Sequence, residues 1–160
     1  MKIVEQICRH PLWIEQINEI ESLEKERIFC KHDITHFMDV ARLAYIEKLE
    51  KHLEISKDMI YAAALLHDIG RGMQYTRGIP HDQAGAELAA RILQDCDVTE
   101  KEKEQILSAI TEHRNSNARE NMELSGMIYR ADKASRMCLF CKAREACNWS
   151  DTKKNLEIKG

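Results

Sequence analysis

The chain has 160 residues, a length that fits one domain with a single hydrophobic core. Its 24 basic and 27 acidic residues are interspersed, which argues against a broad nucleic-acid-binding surface. No apolar run approaches the roughly 20 residues of a membrane span, and Glu5 interrupts the segment that a signal peptide would keep apolar. We therefore expect a cytoplasmic protein that binds no membrane, and in that compartment its cysteines are thiols or metal ligands.

Helix-forming residues dominate, and sustained alternation of polar and apolar residues is absent, so the sequence predicts an all-α, compact helical bundle. About six main helices are expected: from Pro11 onward, from Asp33 to about Leu53, from Ser56 to Leu66, from His81 or Asp82 to about Gln94, from Thr99 to about His113, and from near Met122 through Met137. Arg71–Pro80 and 115–121 are expected to be loops. Residues 1–150 are expected to form the one domain, and 151–160 a frayed polar tail.

The central predicted helix is apolar from Met59 to Leu66 and then ends in His67 and Asp68. A helix that is apolar all round belongs in a protein interior, where an unpartnered polar group costs about 2–7 kcal/mol. A bound divalent cation would satisfy both side chains, and the negative end of the helix dipole would favour it. The alternative is that His67 and Asp68 bond to each other and cap the helix. Gly70 follows as the expected C′ residue.

Four more ionisable side chains fall on the apolar faces of other predicted helices: His36, His81, His113 and Asp132. A single histidine on such a face is more often a core residue satisfied by hydrogen bonds. Together with His67 and Asp68, however, the set contains only His and Asp, and most members lie near a helix end. Such a set favours a shared metal site.

The order His36, His67-Asp68, Asp132 resembles the metal-binding signature of the HD-domain phosphohydrolase superfamily. The resemblance covers roughly residues 30–140 and includes the flanking motifs His32-Asp-Ile-Thr-His36, Ala64-Leu-Leu-His-Asp-Ile-Gly70 and Arg130-Ala-Asp-Lys133. His81 and His113 resemble two additional histidines of the branches that hold two metals. These include bacterial dinucleoside-polyphosphate hydrolases and cyclic-dinucleotide phosphodiesterases. The Gly-Tyr-Pro element of the latter is absent, and Arg71 stands where many members carry Lys.

The resemblance implies an HD-type helical bundle with one or two divalent ions of Fe, Mn, Co, Ni or Zn. It implies that His36, His67, Asp68 and Asp132 hold one ion and that His81 and His113 complete a second, with Asp68 bridging. The implied reaction is attack of metal-bound hydroxide on phosphorus in a nucleotide or another small phosphate ester. Phosphomonoesterase and phosphodiesterase or pyrophosphohydrolase activities both stay open.

Three residues are candidate catalytic residues: Asp68, Arg71 and Lys133. The resemblance implies that Asp68 bridges the ions. Arg71 is a candidate phosphate clamp, and Lys133 is a candidate point charge beside Asp132. The alternative for both cations is a solvated surface role. His32 precedes His36 by four residues, and we expect it to orient His36 by a hydrogen bond, with an exposed capping role as the alternative.

Three cysteines follow Asp132 closely, in the pattern Cys138-x₂-Cys141-x₅-Cys147. With Cys30 as the fourth ligand, they are a candidate second metal site for structural zinc or an iron–sulfur cluster. The alternatives are buried packing residues or a regulatory or partner-binding element. This spacing is not one of the standard zinc patterns.

Other functions remain open beside the hydrolase. An HD-type di-iron oxygenase would use similar ligands for O₂ chemistry, and a non-catalytic sensor would bind a nucleotide without turnover. A homodimer is one candidate assembly.

Overall fold

The structure is a computed structural model that describes residues 1–158. Over that range it contains eight α-helices, three 3₁₀ turns and no β-strand, which confirms the all-α prediction. The α-helices are α1 (Lys2–Arg9), α2 (Pro11–Leu23), α3 (Ile34–Glu50), α4 (Lys57–Leu66), α5 (Arg71–Arg77), α6 (His81–Gln94), α7 (Glu100–Glu112) and α8 (Leu124–Ala134). The 3₁₀ turns are Ser116–Glu120, Cys138–Phe140 and Arg144–Ala146. No helix within residues 1–158 is long and apolar enough to cross a membrane.

Three helices begin where their predicted capping residues lie. The Asp33 carboxylate accepts from His36 N at 3.0 Å, and Ser56 Oγ accepts from Met59 N at 3.2 Å. Thr99 and Glu102 form the reciprocal capping box that opens α7. Each cap satisfies backbone N–H groups that the first turn of a helix leaves unpaired, so each fixes where its helix starts.

Helix α4 lies at the centre of the hydrophobic core. Every residue from Met59 to Leu66 is buried, and α1, α3, α7 and α8 all pack against the helix. The buried indole of Trp13 in α2 donates to the carbonyl of Leu65 at 3.0 Å. Because the end of α4 is enclosed, His67 and Asp68 lie in the interior with no measurable solvent exposure.

Two helices were not predicted. Helix α1 precedes Pro11 and buries Ile3 and Ile7, and α5 occupies most of the segment that was expected to be a loop. The prediction for Arg71–Pro80 was therefore wrong: its glycines do not prevent a two-turn helix. Gly78 ends α5 with φ of 70°, a left-handed conformation that glycine adopts readily.

Gly70 has φ of −79° and does not form the left-handed helix end that was expected. Its role is close packing, because a Cβ at this position would overlap the carbonyl oxygen of His81 and the backbone nitrogen of Gly85. The short connection from α4 to α5 thus lies directly against the first turns of α6. This contact brings His81 toward the end of α4.

The chain beyond α8 folds back on the helix end. Helix α8 ends at Ala134, before the predicted Met137, which is exposed. Asn155 Nδ2 donates to the carbonyl of Arg136 at 2.9 Å, and Leu139 N donates to the carbonyl of Asn155 at 3.0 Å. These bonds join Asn155 to the end of α8. The fraying expected for 151–160 stays a prediction, and residues 159–160 lie outside the described residues.

Candidate metal centre

Four of the predicted ligands converge at the end of α4. One donor atom each from His36, His67, Asp68 and Asp132 lies within 4.8 Å of the other three. His36 Nε2 is 3.5 Å from Asp68 Oδ2 and 3.4 Å from Asp132 Oδ1. His67 Nε2 is 3.2 Å from Asp68 Oδ2 and 3.9 Å from Asp132 Oδ1. These separations are short enough for four atoms to share one ion.

A second group forms on the other oxygen of Asp68. His81 Nε2 lies 3.2 Å and His113 Nε2 lies 3.6 Å from Asp68 Oδ1, and the two Nε2 atoms are 3.1 Å apart. One donor atom from each of Asp68, His81 and His113 thus lies within 4.8 Å of the other two. The Asp68 carboxylate therefore lies between two donor groups and faces each with a different oxygen. We call the six residues His36, His67, Asp68, His81, His113 and Asp132 the HD site.

The Nδ1 atom of every histidine in the HD site is engaged in a hydrogen bond. His67 Nδ1 donates to the Ala64 carbonyl at 2.7 Å, and His113 Nδ1 donates to the Ile110 carbonyl at 2.6 Å. These bonds hold two rings at the C-terminal ends of α4 and α7. His36 Nδ1 pairs with Ser135 Oγ at 3.2 Å, and His81 Nδ1 pairs with the side-chain oxygen of Gln74. Fixing Nδ1 in this way turns Nε2 and its lone pair toward the centre, as metal-ligating histidines require.

Two buried atoms of this site have no hydrogen-bond partner among the described residues. They are His67 Nε2 and Asp68 Oδ2, which lie 3.2 Å apart. Buried polar atoms are nearly always satisfied, so this pair needs a partner beyond the protein's own groups. A divalent cation supplies one, since imidazole nitrogen and carboxylate oxygen both bind Zn, Mn and Fe. The residues present therefore fit a metal site.

Burial also sets the charge state of the donors. It lowers the pKa of His36 to about 4 and that of His81 to about 2, which keeps both imidazoles neutral and able to bind a cation. Burial opposes the ionisation of Asp68, but the neighbouring His67 and Arg71 hold its pKa well below the usual value. Asp132 is likewise ionised, because Lys133 and His67 outweigh the cost of burial and lower its pKa. Burial opposes protonation of His67 as well, but the neighbouring Asp68 and Asp132 raise its pKa, so a bound ion would displace a proton from this imidazole.

Comparison with known proteins agrees with this geometry. A family model described as HD domain matches residues 33–137, which span the segment from the cap of α3 to just beyond α8. The chain belongs to the HD domain family. An uncharacterized protein of Clostridium beijerinckii is 42% identical over 146 residues, covering 91% of each chain.

A solved structure shows the same fold. It is a predicted HD superfamily hydrolase from an uncultured Thermotogales bacterium, and it aligns with a TM-score of 0.62 at 24% identity. The alignment covers 96% of this chain and 87% of the other. The HD-type helical bundle expected from the sequence is thereby confirmed.

Cationic side chains flank the HD site. Arg71 Nε donates to Asp68 Oδ1 at 2.9 Å, and Lys133 Nζ donates to Asp132 Oδ2 at 2.5 Å. Arg136 was not predicted from the sequence; it is buried, with Nη2 at 3.0 Å from His36 Nε2 and 3.4 Å from Asp132 Oδ1. Helix α8 ends two residues before Arg136, so no helical periodicity marks this residue.

A buried acid, Glu24, was also not predicted from the sequence to belong to the site. Glu24, at the end of α2, accepts from His32 N at 2.6 Å and pairs with His32 Nδ1 and Tyr75 Oη at 2.5 Å each. Burial opposes its ionisation, but the bonds from His32 and Tyr75 lower the pKa of Glu24 to about 2. His32 therefore binds Glu24 instead of orienting His36 as expected, and its Nε2 lies 3.8 Å from Asp68 Oδ2.

A cavity of about 630 Å³ opens beside the HD site. Its lining includes one ligand of the site, Asp132, together with His32. Most of its other polar side chains are cationic, namely Arg27, Arg71, Arg114, Lys133, Arg136, Arg144 and Lys154. Two aromatic rings, Phe29 and Trp149, also line it. The cavity is thus suited to an anionic ligand that reaches the HD site.

The same cavity is lined by Cys30, Cys138, Cys141 and Cys147, which we call the cysteine set. The structure thus brings the four predicted thiols to one space. Within residues 1–158, however, no three of these sulfur atoms lie within 4.8 Å of one another, unlike the donor atoms of the HD site.

Proposed function

We propose that this protein is a metal-dependent phosphohydrolase that acts on a nucleotide or another small phosphate ester. The observation that carries the proposal is the position of the buried Asp68 carboxylate, which directs one oxygen to each of two donor groups. Carboxylate-bridged pairs of ions are a recurring arrangement in phosphoryl-transfer enzymes. The HD superfamily hydrolase of the same fold supports the choice of reaction class.

The proposed ligands divide between two ions. His36, His67, Asp68 and Asp132 would hold one, and His81 and His113 would hold the other with Asp68 shared. When bound, the ions would generate a nucleophile from water near neutral pH and stabilise charge on the phosphoryl group. The hydrogen bonds at Nδ1 hold the four imidazoles in place, so little reorganisation is needed on binding.

The cations of the cavity would bind and orient the phosphate. Arg71 is fixed by its bond from Nε to Asp68, and a guanidinium has further N–H donors that match phosphate oxygens. Arg136 approaches from the side of His36 and Asp132, so the two guanidinium groups flank the site. Lys133 is more exposed, at 39% for its side chain, and adds charge at the entrance. Together these groups would hold the phosphoryl group beside the ions while water replaces the ester oxygen.

The aromatic rings favour a nucleotide among phosphate esters. Phe29 and Trp149 line the same cavity as the arginines, and a nucleobase stacks well on such rings. A cavity of about 630 Å³ is of the size that small-molecule sites have. A mononucleotide or a dinucleotide is consistent with both observations.

The decisive experiment is a phosphate-release screen. Protein purified without oxygen is supplied with Mn²⁺ or Fe²⁺ and a panel of nucleotides and simple phosphate esters. We expect turnover of at least one nucleotide. Asp68→Ala should abolish it and lower the bound metal without unfolding the chain, whereas Asp39→Asn on the outer part of α3 should have no effect.

Other outcomes would replace this proposal. Consumption of O₂ with substrate by the iron-loaded protein, without phosphate release, would indicate an oxygenase. Tight nucleotide binding without turnover, with metal supplied, would indicate a sensor. Full activity of Asp68→Ala would refute the role given to the carboxylate.

A further inference from the structure

The cysteine set comes from two distant parts of the chain. Cys30 lies between α2 and α3, two residues before His32. Cys138, Cys141 and Cys147 follow α8, in or next to the last two 3₁₀ turns. All four line the cavity beside the HD site, so the fold joins two segments that are more than a hundred residues apart.

The backbone after α8 keeps three of these thiols in one compact segment. Cys141 N donates to the Cys138 carbonyl, Arg144 N to the Cys141 carbonyl, and Cys147 N to the Arg144 carbonyl, at 3.2, 3.2 and 3.3 Å. Bonds between residues i and i+3 close tight turns of about three residues each. The backbone is extended at Cys141 and at Cys147, so the turns do not form one continuous helix. All three cysteines nevertheless line the same cavity.

The environment of these cysteines differs from that of cysteines that only fill space in a hydrophobic core. Cys138 is buried, but Cys30, Cys141 and Cys147 are only partly so, and their neighbours in the lining are largely arginine and lysine. Free cysteines that serve packing are among the most buried residues. Burial raises the pKa of Cys30, as do the nearby Cys138 and Cys141, while Arg136 opposes the increase. At least three of the thiols are thus near enough to interact electrostatically.

The separation of the sulfur atoms favours the larger of the two candidate metal centres. A zinc ion with four bonds of about 2.3 Å to sulfur requires the sulfur atoms to lie about 3.8 Å apart. No three members of the cysteine set lie within 4.8 Å of one another. An iron–sulfur cluster places several iron and sulfide ions between its cysteine ligands and therefore needs a wider set.

The charges around the cysteine set agree with such a cluster. Four thiolates on an iron–sulfur core give an anionic group, and cationic neighbours stabilise it. Arg27 is held at Cys30 by a 2.9 Å bond from Nε to its carbonyl, and Arg136, Arg144 and Lys154 line the same cavity.

We propose that Cys30, Cys138, Cys141 and Cys147 bind an iron–sulfur cluster. The cluster joins the segment after α8 to the segment before α3 and forms one wall of the cavity. Cys30 lies two residues before His32, and Cys138 lies two residues after Arg136. Cluster assembly therefore holds in place two side chains that adjoin the HD site.

The test uses the whole chain, purified without oxygen and reconstituted with sulfide and both Fe²⁺ and Fe³⁺, which supply the mixed oxidation states of a cluster. We expect bound iron together with acid-labile sulfide and a broad visible absorption from sulfide-to-iron charge transfer. Iron in the HD site brings no sulfide, so sulfide content reports on the cysteine set alone. Asp68→Ala should accordingly lose iron from the HD site and keep its sulfide, whether or not the protein is a phosphohydrolase.

Cysteine-to-serine variants inside and outside the cysteine set test whether these residues bind the cluster. Cys141→Ser and Cys147→Ser, each checked for native helix content by circular dichroism, should lose the sulfide and the visible absorption. Cys96→Ser is the control, because Cys96 lies at the end of α6 and a serine hydroxyl preserves its bond to the Ile92 carbonyl. If both cysteine variants fail to fold, loss of visible absorption on mild oxidation, with circular dichroism unchanged, tests the cluster in the wild-type chain. Absence of sulfide, one zinc ion in its place, or sulfide retained by a folded Cys141→Ser variant would overturn the proposal.

Discussion

At the scale of single residues, the HD site depends on bonds that point away from its centre. His67 and His113 donate through Nδ1 to carbonyls three residues earlier, at the C-terminal ends of α4 and α7. Those carbonyls are left unpaired where a helix ends, so each ring satisfies a backbone acceptor and is oriented by it. Two donors of the site are therefore positioned by helix termini.

Removal of the Arg71 guanidinium tests most directly whether the cations of the cavity bind phosphate. Arg71→Ala should lower kcat/KM for a phosphate ester by about 10- to 100-fold, the value of one lost charge-assisted hydrogen bond of roughly 1.5–3 kcal/mol. The kcat/KM of Arg71→Lys should lie between those of wild type and Arg71→Ala, because lysine keeps the charge but lacks the planar guanidinium with its paired N–H donors. The measurement is steady-state kinetics on the substrate found in the screen.

The control for Arg71 is Arg42→Ala, which removes an exposed arginine on α3 whose side chain is 61% accessible. It should leave kcat/KM unchanged. If Arg71→Ala and wild type had equal kcat/KM, the bond from Arg71 to Asp68 would be purely structural.

At the scale of helices, the close approach of Gly70 to the backbone of α6 tests how α4 and α6 are joined. Gly70→Ala forces a methyl group into backbone atoms of His81 and Gly85, which cannot move aside as a side chain would. We expect a loss of about 2–4 kcal/mol in the free energy of unfolding, together with weaker metal binding because His81 moves from Asp68. Urea unfolding and metal titration measure the two effects.

Gly85→Ala is the matched control in the same contact. Its methyl group would lie 3.4 Å from Ile110 Cγ2, an ordinary van der Waals distance. Alanine also has a higher helix propensity than glycine by up to about 1 kcal/mol, so Gly85→Ala should be neutral or stabilising. If both variants were equally tolerated, the close approach would not determine the packing of α6.

A second contact between helices is electrostatic. Glu47 of α3 accepts from Arg130 of α8 at 2.5 and 2.9 Å, and Arg130 also donates to the carbonyls of Arg119 and Asn121. Burial opposes the ionisation of Glu47, but the bonds from Arg130 and Lys51 lower its pKa below the usual 4.5. The carboxylate thus stabilises the fold when it is ionised.

Glu47→Gln should therefore lower the free energy of unfolding by about 1–2 kcal/mol at neutral pH. The partial exposure of the ion pair keeps this value small. A lowered folded-state pKa contributes stability above the unfolded-state pKa, and this contribution is lost as pH falls through the folded-state value. The variant and wild type should hence converge at acid pH in urea unfolding. Glu50→Gln, exposed on the same helix, should show no difference at either pH, and a pH-independent effect of Glu47→Gln would contradict the ion pair.

Helices were predictable where periodicity and capping agreed. The caps at Asp33, Ser56 and Thr99 and the apolar face of α4 are local signals, and the structure agrees with each. Helices α1 and α5 have only 8 and 7 residues, too short for a periodic pattern to stand out. The role of Gly70 was predicted wrongly because the α6 residues that it packs against are distant in sequence.

At the scale of the whole molecule, the convergence of the HD site was predictable from the order and the helix positions of its six residues. Arg136 and Glu24 were not, because each is a charged residue near a helix end that sequence alone assigns to the surface. Their burial depends on how α2, α3 and α8 meet. Partners of this kind become visible only once the tertiary packing is known.

The stability of the whole fold should depend on metal. Two buried atoms of the HD site, His67 Nε2 and Asp68 Oδ2, have no hydrogen-bond partner among the described residues. They oppose folding until an ion binds them, so binding must raise the free energy of unfolding. For an ion at 100 times its Kd the gain is about 2.7 kcal/mol. In a chain of this size, that corresponds to a rise in Tm of roughly 5–11 °C.

The measurement is thermal unfolding of chelator-treated protein with increasing Mn²⁺, compared with Asp68→Asn under the same conditions. Wild type should gain Tm in proportion to the logarithm of Mn²⁺ above its Kd, because the ion binds the folded state alone. Asp68→Asn removes the charge shared by both donor groups and retains the shape of the side chain, so its Tm should respond little to Mn²⁺. In the absence of metal it should be less stable than wild type at neutral pH, because His67 and Arg71 hold the folded-state pKa of the Asp68 carboxyl well below its usual value. Equal responses of the two proteins to Mn²⁺ would place the ion elsewhere, and the convergence of five helices on Asp68 would then need another explanation.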